Sequence, residues 1–212
     1  MPNTTFRIFA RAPLLAAALF CGLSTLVSAA EEGKTLYETQ YQGLAMGTLI
    51  TARLISPDAK VAQKLEELVS ERVDDYDTLF TVHREGPLYE VNKRSGEWVE
   101  VDCRITELTE KAKAIAEASD RAFEPTIGTL VNVWKIGFGG DQVPARRDID
   151  AALKKVDYTK IETQREDNVC RMRIGKGQSI DLGAIAKGWI GTALTQDLEA
   201  AGATNVILDL GG

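Results

Sequence analysis

The chain has 212 residues, 44% of them hydrophobic and 26% charged, with a formal net charge of −6. That length and balance suit one sizeable globular domain able to bury its own core. An acidic chain without a basic stripe argues against nucleic acid or an anionic membrane surface as the main partner.

The N-terminus reads as an export signal. Arg7 and Arg11 give a basic start, Leu14 to Val27 is an uncharged apolar run, and Ser28-Ala29-Ala30 supplies small residues for cleavage. The run is short for a membrane span, and a retained anchor fits the small-residue exit less well than cleavage does. Cys21 follows bulky Phe20, where a lipid-attachment site wants a small residue. Residues 1–30 are therefore expected to be a signal peptide, with residues 31–212 exported, periplasmic and without a stable membrane span. Cleavage removes two arginines and no acid, so the formal charge moves from −6 to −8. An anionic nucleotide bound to such a domain must be met by metal, backbone N–H groups or a few local cations.

Residues 36–55 read as two strands around a Met46-Gly47 turn, the second rich in β-branched residues from Thr48 to Ile55. Ser56-Pro57-Asp58 predicts a helix start, with Ser56 as the capping hydroxyl and Pro57 at the first helical position. The helix that follows spaces Leu65, Leu68, Val69, Val73, Tyr76 and Leu79 along one buried face. A turn at 84–87 leads to Leu88–Asn92 and a short strand at Trp98–Val101. A helix over Thr106–Ala118 turns Leu108, Ala112, Ile115 and Ala116 inward. A shorter helix is expected at Thr126–Trp134, ending in a glycine-rich loop at 137–140, then a surface helix at Arg147–Val156 and strands near Ile161 and over 169–174. Residues 180–202 read strand, tight turn, helix, and Asn205–Leu210 is a last strand before Gly211-Gly212. The hairpins at 36–55 and 160–174 favour an α+β fold, a mixed and largely antiparallel sheet flanked by helices, over a doubly wound one. Cys103 and Cys170 either pair or stay as buried thiols; neither stands in a zinc-ligand spacing.

Three segments are unlike generic scaffold. In Met46-Gly47-Thr48 a glycine lets backbone approach a ligand, or simply serves a hairpin. In Ala122-Phe123-Glu124-Pro125-Thr126-Ile127-Gly128 a proline and a threonine enter a helix, putting N–H groups and a hydroxyl where a phosphate is favoured; an ordinary helix start is the alternative. In the run from Ser179 to Trp189, Asp181 is delivered before a turn at Gly183, and Lys187-Gly188 follow in the first helical turn. An acid, backbone groups and a cation then share one loop, as nucleotide or metal binding needs, unless Asp181 and Lys187 are merely solvated. Neither G-x-x-x-x-G-K nor G-x-G-x-x-G occurs.

In this order and spacing the segments, above all FEPTIGTLVNVWKIG and IDLGAIAKGW, resemble the FAD:protein FMN transferase (ApbE, flavin transferase) family from about Tyr41 to Gly212. The resemblance implies an enzyme that uses Mg²⁺ to cleave the pyrophosphate of FAD. It joins FMN through its phosphate to a threonine hydroxyl of an acceptor flavoprotein subunit and releases AMP. Two readings compete: a Mg²⁺-dependent FAD pyrophosphatase, and a non-enzymatic periplasmic FAD-binding protein. By resemblance, Met46 lies against the flavin nucleotide and His83 stands where the family has an aromatic residue. Ala122, Phe123 and Glu124 form the loop beside FAD, with aspartate commoner in the family at the position of Glu124. Asp181 contacts FAD, Lys187 is near the nucleotide, and the backbone carbonyl of Ala184 is a Mg²⁺ ligand. Thr192 replaces a frequent aspartate. The family's remaining metal ligands, an aspartate and a threonine, have no counterpart up to Gly212, nor has its histidine near the reacting phosphate. The chain is thus expected to be the N-terminal portion of a flavin transferase domain, C-terminally incomplete and inactive alone, and no catalytic residue is assigned.

Overall fold

The computed structural model describes residues 7–8, 35–136 and 142–211. Cys21 and the rest of the expected signal peptide outside 7–8, the glycine-rich loop at 137–140, and Gly212 lie outside the described residues. In chain order the elements are β1 (Arg7–Ile8), β2 (Tyr37–Ala45), β3 (Thr48–Ser56), α1 (Ala59–Phe80), α2 (Pro87–Lys93), β4 (Val99–Val101), α3 (Cys103–Ala118), α4 (Gly128–Trp134), α5 (Arg146–Leu153), β5 (Glu162–Glu166), β6 (Val169–Arg173), α6 (Gly183–Ala200) and β7 (Asn205–Asp209). Among the described residues no helix is long and apolar enough to cross a membrane. The chain gathers into two compact units, and α1 and α6 each contribute residues to both.

The first unit comprises residues 1–44, 48–71 and 194–212. Its sheet has the order β1-β2-β3-β7, and β3 runs antiparallel to β7 with Thr51 opposite Asp209 and Ile55 opposite Asn205. Ile50, Ala52 and Leu54 are buried at alternate positions of β3, which is the period of two that a strand imposes. Ala62, Leu65 and Val69 of α1 and Leu194 and Leu198 of α6 are also buried, at three- and four-residue spacing. Leu68, expected on the buried face, is half-buried. The cap of α1 also differs from the sequence reading. Asp58, not Ser56, accepts the N–H groups of Lys60 and Val61, while the Ser56 hydroxyl donates to the Asp58 carbonyl. The helix begins one residue after Asp58, so Pro57 precedes the cap.

The second unit comprises residues 45–47 and 72–193. Its sheet is antiparallel throughout, with β6 central between β4 and β5. Asp102 caps α3 by accepting the Arg104 N–H at 2.8 Å, so this helix starts three residues before the predicted Thr106. Its buried stripe is Ile105, Leu108, Ala112 and Ala116; Ile115, expected inward, sits at the edge of that stripe and is 42% exposed. Cys103, at the start of α3, is disulfide-bonded to Cys170 of β6, which settles the choice the sequence left open. The segment at 88–92 is helical, with Pro87 in the first turn of α2. No strand forms at Ile180: the extended chain there makes a single parallel bridge, Ile127 with Ser179. The remaining elements fall within a few residues of expectation, and the α+β class with antiparallel sheets holds.

Candidate functional site

A cavity of about 550 Å³ opens within the second unit. Two segments far apart in sequence make its polar walls: Arg121 to Glu124, and Asp181 with Gly183 and Ala184. Ile127, Leu130, Leu153 and Val156 supply an apolar side.

The two segments are locked together by backbone. The Asp181 N–H donates to the Pro125 carbonyl at 2.8 Å, and the Ser179 N–H donates to the Thr129 hydroxyl at 3.0 Å. Gly128 is required by this approach, since a Cβ there would stand 2.8 Å from the Ser179 carbonyl oxygen. Asn92 of α2 holds the neighbouring peptide: the Ile180 N–H donates to Asn92 Oδ1 at 2.7 Å, and Asn92 Nδ2 donates to the Ile180 carbonyl at 2.9 Å. Asp181 then turns its carboxylate onto the start of α6, where Oδ1 accepts the Gly183 N–H at 2.8 Å.

Glu124 is buried, and both of its oxygens are engaged by neighbours. Oε1 accepts the N–H of Thr126 at 3.1 Å and its hydroxyl at 2.8 Å; Oε2 accepts the Tyr158 N–H and the Arg121 guanidinium, each at 3.2 Å. The side chain thereby clamps the 121–126 loop onto residues 157–158. Thr126 extends the clamp by accepting the Asp157 N–H at 2.8 Å. Arg121 also donates to the Val156 carbonyl and lies over the Tyr158 ring at 5.7 Å. Its backbone is left-handed, φ 66°, directly after Asp120 at φ 54°. For a non-glycine residue that conformation costs about 1 kcal/mol or more, a strain maintained here by the guanidinium's contacts. The Asp157 carboxyl is held below its ordinary range, first by the Thr159 hydroxyl and further by the charges of Lys160 and Arg121.

Of the residues singled out from sequence, Ala122, Phe123, Glu124, Asp181 and Ala184 share this cavity; Met46, His83 and Lys187 are not part of its lining. Lys187 stands at the start of the second turn of α6, not in the first turn as expected, and has no ion-pair partner among the described residues. Met46 and Gly47 join β2 to β3 with φ 50° and 73°, the signature of a two-residue type I′ hairpin turn. The Met46 N–H donates to Asp77 Oδ1 at 2.8 Å, and Asp77 Oδ2 pairs with the Arg84 guanidinium at 2.6 Å. His83, next to Arg84, donates its backbone N–H to the Thr81 hydroxyl at 3.3 Å. Trp189 of the IDLGAIAKGW run packs edge-on against Tyr76 and Phe80.

Sequence reasoning missed Arg121, Asn92 and Asp77. A signal for the first existed: α3 ends without a glycine to take the left-handed position, so a side chain had to occupy it. Asn92 and Asp77 carry no signal, because their partners lie 88 and 31 residues away.

The described residues do not by themselves form a Mg²⁺ cage. Among them no three His, Cys, Asp or Glu side chains gather in a way that could hold a metal, and Ala184 offers one carbonyl where the ion wants near-octahedral oxygen coordination. What the pocket offers chemically is backbone at Asp181 to Ala184 and one guanidinium, Arg121, beside an apolar wall.

Comparison with known proteins gives the family and the fold. Residues 46–212 match the model of the ApbE family. A protein of Klebsiella pneumoniae (strain 342) named FAD:protein FMN transferase is 33% identical over 175 residues, covering 81% of this chain and 54% of its own. One of the same name from Treponema pallidum (strain Nichols) is 32% identical over 176 residues, 80% of this chain and 49% of its own. In solved structures, the ApbE protein of Thermotoga maritima superposes with a TM-score of 0.69 at 30% identity, over 81% of this chain and 56% of that one. The chain spans about half the length of the curated relatives it matches.

Proposed function

The chain belongs to the ApbE family, and from that premise we propose that it carries the FAD-binding part of a FAD:protein FMN transferase. The reaction moves FMN from FAD to a threonine hydroxyl of an acceptor flavoprotein and releases AMP. One observation carries the reading. The cavity of the second unit takes its polar walls from the two segments, Ala122-Phe123-Glu124 and Asp181 to Ala184, that the family resemblance assigns to the nucleotide.

Mg²⁺ is the cation proposed for the reaction. The cavity is lined by two carboxylates, Glu124 and Asp181, against one guanidinium, Arg121, so a pyrophosphate bound there calls for added positive charge. When bound, a divalent ion neutralises the pyrophosphate and stabilises charge on the leaving phosphate. This chain's own residues bind and orient: the backbone at Asp181 to Ala184 faces the phosphates, the apolar wall of Ile127 and Leu130 takes ring surface, and Glu124 keeps the loop in register. Export to the periplasm is proposed with it, supported by the signal-like segment at 1–30 and by the Cys103–Cys170 disulfide, which suits an oxidising compartment.

The test is to mix the pure chain with FAD, with and without Mg²⁺, and with a threonine-bearing acceptor. Quenching of flavin fluorescence, AMP release and acceptor-linked flavin on a denaturing gel are then read together. Absence of FAD binding overturns the proposal. FAD bound without turnover, and more tightly with Mg²⁺, is the outcome expected of the FAD-binding part alone. AMP with free FMN and no linked flavin replaces the proposal with a pyrophosphatase, and a FAD affinity that Mg²⁺ does not change replaces it with a binding protein.

A further inference from the structure

Met46 occupies the first central position of a two-residue turn at φ 50°. Type I′ turns take Asn, Asp or Gly there, because those residues tolerate a positive φ; methionine has no such tolerance. The turn alone would not select this side chain, and an outlier of this kind points to a use for it. Something must also hold it there, and one carboxylate does. Asp77, projecting from the last turn of α1, accepts the Met46 N–H on Oδ1 at 2.8 Å and pairs with Arg84 through Oδ2 at 2.6 Å. Arg84 follows His83 directly, in the stretch between α1 and α2. A single side chain therefore ties the Met46 turn to the His83–Arg84 bend. Arg84 is half-exposed and the Asp77 side chain 29% exposed, so the ion pair is solvent-screened and the tie rests mainly on the part-buried Met46 N–H bond.

We propose that Asp77 is a positioning residue for FAD, fixing the Met46 turn with one oxygen and the His83–Arg84 bend with the other. The inference rests on the reading of Met46 and His83 as flavin-facing. It adds the group that presents them together and assigns a role to the strain at Met46. Asp77 itself touches neither flavin nor phosphate.

Methionine methyl resonances supply a readout that loss of fold alone would not mimic. The sequence has three methionines, and Met172 is fully buried in the sheet of the second unit, so its methyl serves as an internal control for folding. The chain, labelled with ¹³C-methyl methionine, is titrated with FAD in wild-type, Asp77→Asn and Asp77→Ala forms. In the wild type, FAD is expected to shift the Met46 methyl through the ring current of the flavin. In Asp77→Ala the Met46 methyl of the free protein moves, the Met172 methyl does not, and FAD affinity falls about tenfold or more. Asp77→Asn keeps an acceptor for the Met46 N–H but loses the charge facing Arg84; it falls between, and it serves if the alanine variant does not fold. Unchanged FAD affinity in both variants, with the wild-type Met46 methyl responding to FAD, overturns the positioning role while leaving the flavin reading intact. A wild-type Met46 methyl that ignores saturating FAD overturns the flavin-facing reading and this inference with it.

Discussion

Asn92 and Ile180 are joined as though they were neighbouring strands: the side-chain amide of the first accepts the N–H and donates to the carbonyl of the second, at 2.7 and 2.9 Å. The peptide so held immediately precedes Asp181, whose own N–H is fixed by the Pro125 carbonyl. One helix end thus sets the direction in which the 179–184 segment enters the cavity.

Replacing Asn92 by alanine leaves the backbone N–H and carbonyl of buried Ile180 without their partner. A loss of about 2–3 kcal/mol in unfolding free energy is expected. Urea denaturation measures it, and a loss below about 0.5 kcal/mol would show that the pair contributes little. Asn92→Asp keeps the acceptor but not the donor, and is expected to fall between.

Gly128→Ala tests the contact of the two cavity segments. A methyl there stands 2.8 Å from the Ser179 carbonyl oxygen and 3.1 Å from its carbon, backbone that cannot swing aside. The segments must separate, at a cost of about 1–3 kcal/mol, and FAD affinity is expected to fall with stability. Thermal melts and flavin fluorescence on the same variant decide whether the two effects move together.

Acid weakens the second unit through identifiable carboxylates. Asp102 is held below its ordinary 3.8 by the Arg104 side chain, and Asp157 is held below the same value by the Thr159 hydroxyl. The unfolded chain takes up protons near 3.8 while the folded chain resists them. The stability these groups contribute is therefore present above about pH 4 and is lost as pH falls from there through their folded-state values. Melting temperatures between pH 5 and 2 should show that decline, and Arg104→Ala should make it shallower.

Reduction of the Cys103–Cys170 bond is expected to lower stability by about 2–4 kcal/mol, with native secondary structure kept at low temperature. Melts with and without reductant, beside a Cys103→Ala/Cys170→Ala variant, check this. Equal melting points in all three samples would count against the bond.

The sequence was most informative where period and punctuation agree. The face of α1 from Leu65 to Leu79, the hairpin over 160–174 and the turn at Met46-Gly47 could all be read from spacing and turn residues. It misled where one local signal competed with another: Ser56 and Asp58 are both good caps, and only the first residue with helical backbone, Ala59, decides between them. Ile115 belongs to the same apolar series as Ala112 and Ala116, yet lies at the edge of the buried stripe. In the cavity, the motifs FEPTIG and IDLGA announced themselves, whereas the groups that lock them in place, Asn92 and Gln178, are ordinary polar residues whose partners are distant in sequence. Gln178 donates to the Lys155 and Asp157 carbonyls, more than twenty residues away, and no pattern marks it. Even Glu124 is informative only in space, where the oxygens that sequence would aim at a ligand are found tied to the chain itself.

The disulfide also divides the cavity topologically. Residues 103–170 form a covalent ring, and that ring contains Arg121 to Glu124, all of α4 and α5, and Leu153 and Val156 of the apolar wall. Asp181, Gly183 and Ala184 lie outside it, on open chain. A protease cut between α4 and α5 would therefore leave one molecule of unchanged mass but for a water, running as a single species until a reductant parts it into two.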